Sequence, residues 1–213
     1  VWLTKQFTSP INVAIPSGNF GNAYSAWFGR SNGLPINQIL CSTNVNDVLR
    51  RFIDGGVLEP LVTQPSVAPS MDIQIPSSLE RLIFDLSTEA KEFYFELQNS
   101  TKAQLGEKSV ETLKSVFSSV TFSDEMIKTR ITSLHDEFGI IFDPHTVTSV
   151  QMALDNDSSL PTVAVATASP EKFGNVISPL INGFTESKID QKEQYLTLST
   201  ENAAIIEAIK AFI

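Results

Sequence analysis

The sequence predicts an α/β fold in which parallel-sheet βα units are interrupted by a mostly helical insertion. Three observations predict it. Short, uncharged, β-rich runs alternate with amphipathic patterns near the start. A long block of helical periodicity fills the middle. Strand and helix signals then alternate again. The expected organisation is residues 1–56 as βα units of a large domain, 57–138 as the insertion, and 139–213 as the return to the large domain with a closing helix.

Ile11-Asn12-Val13-Ala14-Ile15 reads as a buried parallel strand. Pro16-Ser17-Gly18-Asn19-Phe20-Gly21-Asn22 breaks it, and residues 23–31 form a helix with Tyr24, Trp27 and Phe28 on one face. Gly33 and Pro35 stop that helix. Residues 36–42 make the next strand, and Asp47 opens a helix ended by Gly55-Gly56. A proline-rich loop follows. Ser77-Ser78-Leu79-Glu80 is expected to be a capping box, with helical patterns over 79–86, 89–98 and 107–120. Ser123 caps a further helix ending near Phe138, with Gly139 beyond. The 57–138 block is therefore expected to stay out of the sheet.

Ile140-Ile141-Phe142 is a short apolar run. Asp143-Pro144 supplies an N-cap and a first-turn proline for a helix to about Leu154. Residues 162–166 read as a buried strand. Ser169-Pro170 starts another helix, and residues 201–213 form a last amphipathic one.

The composition narrows the function. The chain has 213 residues with 42% hydrophobic and only 18% charged, which predicts faces that pack on something else. Its net charge of −9 and pI near 4.7, with no basic cluster, argue against nucleic-acid or anionic-membrane partners. The single cysteine, Cys41, excludes an internal disulfide and a cysteine-rich zinc site, and reads as a buried small residue. The longest uncharged stretch, residues 6–29, contains Pro10, Pro16, Gly18 and Gly21, so it is not a membrane helix. No signal-peptide pattern opens the chain. Beginning at Val1 and entering a strand almost at once, the chain reads as a piece of a longer protein.

Residues 17–22 carry the strongest local signal. Glycines between a strand and a helix let consecutive N–H groups and the helix N-terminus meet an anion. The alternative is a tight βα turn without a ligand. The motif is neither a Walker A loop nor a dinucleotide fingerprint. No lysine or arginine in the sequence is nearer than Lys5 or Arg30, so a phosphate would rest on backbone dipoles. Thr167 follows the 162–166 strand, and in open α/β sheets ligands sit beyond the carboxyl ends of strands. The alternative for Thr167 is a hydroxyl capping a local N–H. His135 and His145 read as structural, with no metal site implied. None of the lysines lies in an apolar setting that would activate it.

Taken together, five motifs resemble those of threonine synthase, a pyridoxal-phosphate enzyme family with the tryptophan-synthase-β (fold-type-II) architecture. They are residues 16–22 followed by Gly33-Leu34-Pro35; Ser42-Thr43-Asn44-Val45-Asn46-Asp47-Val48-Leu49; Pro69-Ser70-Met71-Asp72-Ile73 with Ser77-Ser78-Leu79-Glu80-Arg81; Asp143-Pro144-His145-Thr146; and residues 166–173. They occur in family order. The resemblance implies that Gly18, Asn19, Phe20, Gly21 and Asn22 hold the phosphate of pyridoxal 5′-phosphate and that Thr167 hydrogen-bonds its pyridine nitrogen. It implies conversion of O-phospho-L-homoserine and water to L-threonine and phosphate; the acidic pI and lack of disulfides favour a cytoplasmic setting.

The lysine that holds the cofactor in this family lies in an N-terminal segment absent here. The chain is thus expected to be the C-terminal portion, inactive alone, with no catalytic residue of its own and with apolar surface that promotes self-association. Ser17 and Ser169 stand where the family often has Thr and His. Two alternatives are a phospho-lyase relative that makes no threonine, and a short non-catalytic binding module.

Overall fold

The computed structural model describes residues 3–185 and, in the tail, residues 202, 203, 206, 207 and 210. Those tail positions are helical; the rest of the helix expected over 201–213 lies outside the described residues. In chain order the elements are β1 (Ile11–Pro16), α1 (Gly21–Ser31), β2 (Ile36–Thr43), α2 (Val48–Gly55), β3 (Val57–Leu58), α3 (Leu79–Leu86), α4 (Ala90–Ser100), β4 (Ala103–Gln104), α5 (Glu107–Val116), β5 (Phe117–Thr121), α6 (Asp124–Phe138), α7 (Thr146–Leu154), β6 (Thr162–Ala164) and α8 (Gly174–Ile177).

Four strands form one parallel sheet in the order β5-β2-β1-β6. A two-residue antiparallel pair, β3 with β4, stands apart from it. Every residue of β1 is buried, which is why the strand carries no charge. Its side chains alternate between two cores. Ile11, Val13 and Ile15 join Ile39 and Cys41 of β2 and face Leu49, Phe52, Leu82 and Leu113 from the helices on one side. Ala14 and Leu40 face Ile127, Ile131, Val147 and Met152 on the other. Helices therefore cover both faces of the sheet.

The strand order places a topological switch between β1 and β6. From β1 the chain winds outward through β2 to β5, then returns to β6 on the opposite side of β1. Connections diverge there, leaving a crevice beyond the carboxyl ends of the two strands.

Three sequence expectations need correction. Residues 117–120 do not continue α5. Phe117–Thr121 pairs with β2, so the 57–138 block does contribute a strand to the sheet. The β-branched and aromatic side chains at Phe117, Val120 and Thr121 favour this extended edge. The apolar run 140–142 takes no regular secondary structure. The last strand stops at Ala164 and is half-buried, because it lies at a sheet edge. The expected capping box is absent: Ser78 sits at the N-cap without a side-chain cap bond. Ser77 instead turns its N–H and hydroxyl to Asn19 Oδ1, at 2.7 and 3.0 Å. By contrast, Ser123 caps α6 by accepting from Met126 N–H, and Gly139 ends it at φ 67°. On α1, Tyr24 and Trp27 pack against the core while Phe28 is exposed.

Candidate functional site

An open cleft of about 240 Å³ lies at the switch point. It is lined by residues 16–22 after β1, Ser70 and Met71, His145, and Thr167 and Ala168 after β6. The structure thus brings the glycine-containing turn and Thr167 into one crevice. Among the described residues no lysine or arginine lines it.

The turn is built to face something. No described residue accepts from the backbone N–H of Gly18, Asn19, Phe20, Gly21 or Asn22. Gly21 and Asn22 are also the first residues of α1, so their N–H groups carry the positive end of the helix dipole. Phe20, the N-cap residue, has φ 68°, a left-handed conformation costly for an aromatic residue. Its ring offsets the cost by packing 1% exposed against Phe117, with centroids 5.6 Å apart. Gly18 is required sterically. A Cβ there would lie 2.6 Å from the Ser70 carbonyl oxygen and 2.8 Å from Met71 Cα, both backbone.

A buried polar network fixes the segment carrying Ser70 and Met71. Asp72 Oδ1 accepts from Asn44 Nδ2 at 2.6 Å, Asn46 Nδ2 at 3.1 Å and the Ser66 hydroxyl at 2.6 Å. Its Oδ2 accepts from Ser66 N–H at 3.0 Å. Asn46 Oδ1 accepts from Gln64 N–H at 2.8 Å. Residues from two of the five resembling motifs thereby form a clamp on the cleft wall.

The Asp143-Pro144-His145-Thr146 motif holds both rims. His145 Nε2 accepts from Ser70 N–H at 3.1 Å, and Thr146 Oγ1 accepts from Thr167 N–H at 3.1 Å. The His145 Nδ1–H donates to Asp143 Oδ1 at 2.8 Å. Because Nε2 accepts, the ring is the neutral Nδ1–H tautomer. Burial alone would raise the Asp143 carboxyl; the hydrogen bonds from His145 and Thr146 outweigh it and hold the group below the usual carboxylate range. The Thr167 side chain caps no local N–H; its hydroxyl has no partner among the described residues and its residue is exposed in the cleft. Ser42 and Ser149 complete the fastening, with Ser42 Oγ 2.7 Å from Thr148 Oγ1 and Ser149 donating to Val165 O.

Reading residues by type missed Ser70, Met71 and the role of His145. The available signal was the aspartate two residues before His145, a common orienting partner for an imidazole. Cys41 is fully buried beneath the site, where desolvation pushes its thiol up to about 12 against the opposing Ser17 hydrogen bond. It is no nucleophile.

No protein-family model matches the chain. A threonine synthase of Pseudomonas aeruginosa is 32% identical over 209 residues, spanning 92% of this chain and 44% of that protein. The structure of a PLP-bound threonine synthase from Brucella melitensis superposes with a TM-score of 0.81 at 27% identity, over 95% of this chain and 46% of that one. The chain is a partial homologue of threonine synthase. A human protein named threonine synthase-like 1 is 31% identical over 96% of the chain and 29% of its own length. The chain spans less than half the length of these relatives. The α/β parallel-sheet expectation agrees with the threonine synthase fold they share.

Proposed function

We propose that this chain is the C-terminal part of a pyridoxal-phosphate-dependent threonine synthase that converts O-phospho-L-homoserine and water to L-threonine and phosphate. The observation that carries the proposal is the cleft itself. Five consecutive N–H groups and a Thr167 hydroxyl, all without a partner among the described residues, meet where strand connections diverge.

In this reading Gly18, Asn19, Phe20, Gly21 and Asn22 hold the cofactor phosphate. Gly18 admits the close approach of the 69–71 turn, and the α1 N-terminus adds its dipole. The Thr167 hydroxyl hydrogen-bonds the pyridine nitrogen, and Thr146 fixes that residue by accepting from its N–H. A neutral hydroxyl leaves the nitrogen less fully protonated than a carboxylate partner would. The cofactor, when bound, supplies the electron sink for carbanion chemistry next to the amino group. The lysine that anchors it belongs to the portion of the relatives that this chain does not span. The domain reading stays with the proposal: 1–56 and 139–213 as parts of the large domain, 57–138 inserted between them.

The test is phosphate release from O-phospho-L-homoserine by the full-length gene product, with product analysis. L-threonine and phosphate support the proposal. A keto acid with ammonia identifies a phospho-lyase. Cofactor binding without turnover identifies a binding module.

Among the described residues no helix is long and apolar enough to cross a membrane. The proposed setting is the cytoplasm. Val62, Ile75 and Phe95 are exposed, and support self-association of the isolated chain. A monodisperse monomer in light scattering contradicts that part.

A further inference from the structure

Asp143 and His145 are arranged more specifically than a fastening needs. Asp143 is 1% exposed. Its Oδ1 accepts from the His145 N–H at 2.9 Å, the Thr146 N–H at 3.4 Å and the His145 ring at 2.8 Å. Its Oδ2 is buried without a partner among the described residues. A buried carboxylate with an unused oxygen is a costly element. An asparagine carbonyl would accept the same three bonds without burying a charge. The carboxylate adds one thing: an amide could also turn its NH2 to the ring, whereas both carboxylate oxygens only accept, so Nδ1 must carry the hydrogen that meets Asp143. In the neutral ring Nε2 is then an acceptor, and the Ser70 N–H is its donor. Ser70 in turn presses its carbonyl, with Met71 Cα, against Gly18.

We propose that Asp143 and His145 are positioning residues that set the shape of the phosphate cup through the Ser70 amide. The proposal rests on the phosphate-cup reading above. His145 lines the cleft, but both ring nitrogens are engaged, so it holds the wall and transfers no proton. The line of action runs from Asp143 Oδ1 to the ring, from Nε2 to the 69–71 turn, and from that turn to the Gly18 backbone.

The test compares His145→Gln with His145→Asn in the full-length protein. Both lose the ring contact with Phe173, whose centroid lies 4.9 Å away, so a general packing role moves both equally. Glutamine can place its Oε1 where Nε2 stood; asparagine is too short. Pyridoxal 5′-phosphate affinity, read by absorbance titration, is expected within about threefold of wild type for His145→Gln and weakened about tenfold for His145→Asn. Equal affinities overturn the proposal. A second readout needs no cofactor. Side-chain ¹H–¹⁵N spectra are expected to show the Nδ1–H tautomer, and the Ser70 amide proton is expected to move upfield in His145→Asn. An Nε2–H tautomer, or an unmoved Ser70 amide, overturns it. Failure of wild type to bind the cofactor would sink the functional reading alone, leaving these spectra to decide the positioning role.

Discussion

The two sides of the cleft are built in opposite ways. The β1 side rests on a strand buried along its whole length, on Phe20 held in a strained conformation by core packing, and on a glycine pressed by neighbouring backbone. The β6 side hangs from a three-residue, half-buried edge strand. It is kept in place by hydroxyls of α7: Thr146 takes the Thr167 N–H and Ser149 donates to Val165 O. The difference teaches a division of labour. The β1 side is part of the core and cannot move without damaging it. The Thr167 side is a surface attachment whose chemistry can change with little cost to the fold.

Substitution at Gly18 is the severest way to probe this contrast. Gly18→Ala drives a methyl into the backbone of residues 70 and 71, and we expect a loss of about 2 kcal/mol in denaturant unfolding. Cofactor affinity should fall with it. Gly21→Ala, three residues on, meets nothing closer than Ser78 Oγ at 3.7 Å and should stay within about 0.5 kcal/mol of wild type. Equal effects at the two glycines would break the account of the β1 side.

A smaller effect is expected in acid. Asp143 is buried and held below the usual range by hydrogen bonds from His145 and Thr146. Asp47 is lowered as well: desolvation opposes the shift, and hydrogen bonds from Arg50 and Arg51 overcome it. A carboxylate with a depressed folded pKa contributes stability that is fully present above its unfolded value of about 3.9. That stability is lost as the pH falls through the lower folded value. Stability measured from neutral pH to below about pH 4 should therefore decline, and Asp143→Asn should flatten the decline. An unchanged acid limb in Asp143→Asn would contradict the assignment.

The smallest effect on stability belongs to Thr167→Val. The hydroxyl serves no described residue, so the unfolding free energy should move by less than about 0.5 kcal/mol. Cofactor binding and its absorbance should nonetheless change. A large loss of stability would show that the hydroxyl has a structural duty. Cys41, buried between the two sides with its thiol pushed up to about 12, should resist alkylation in the folded protein at mild alkaline pH and react on unfolding. Rapid modification of the native chain would mean that the core beneath the cleft opens.

Much of the frame was legible because glycine and proline punctuate it. Residues 11–15 and 36–42 announce themselves as uncharged runs, and the turn between β1 and α1 stands out against both. Thr167 was legible by position, directly after a strand. β5 was not, because no breaker separates Val116 from Phe117 and only pairing with β2 decides that segment. The capping box failed for a similar reason: Asn19, 58 residues away, outcompetes the local cap for Ser77. His145 read as structural, but its bond was not legible, because its partner Ser70 is 75 residues distant and nothing near either residue signals it. Local patterns describe elements well; the groups that shape this cleft are matched by tertiary contact.

The most direct test of the central claim is a ¹H–¹⁵N titration of the full-length protein with pyridoxal 5′-phosphate, following the amides of residues 18–22 together with Thr167. The account predicts large, saturable downfield shifts of the 18–22 amides, with Thr167 shifting over the same concentration range. Saturable shifts centred elsewhere, with residues 18–22 unmoved, would contradict it.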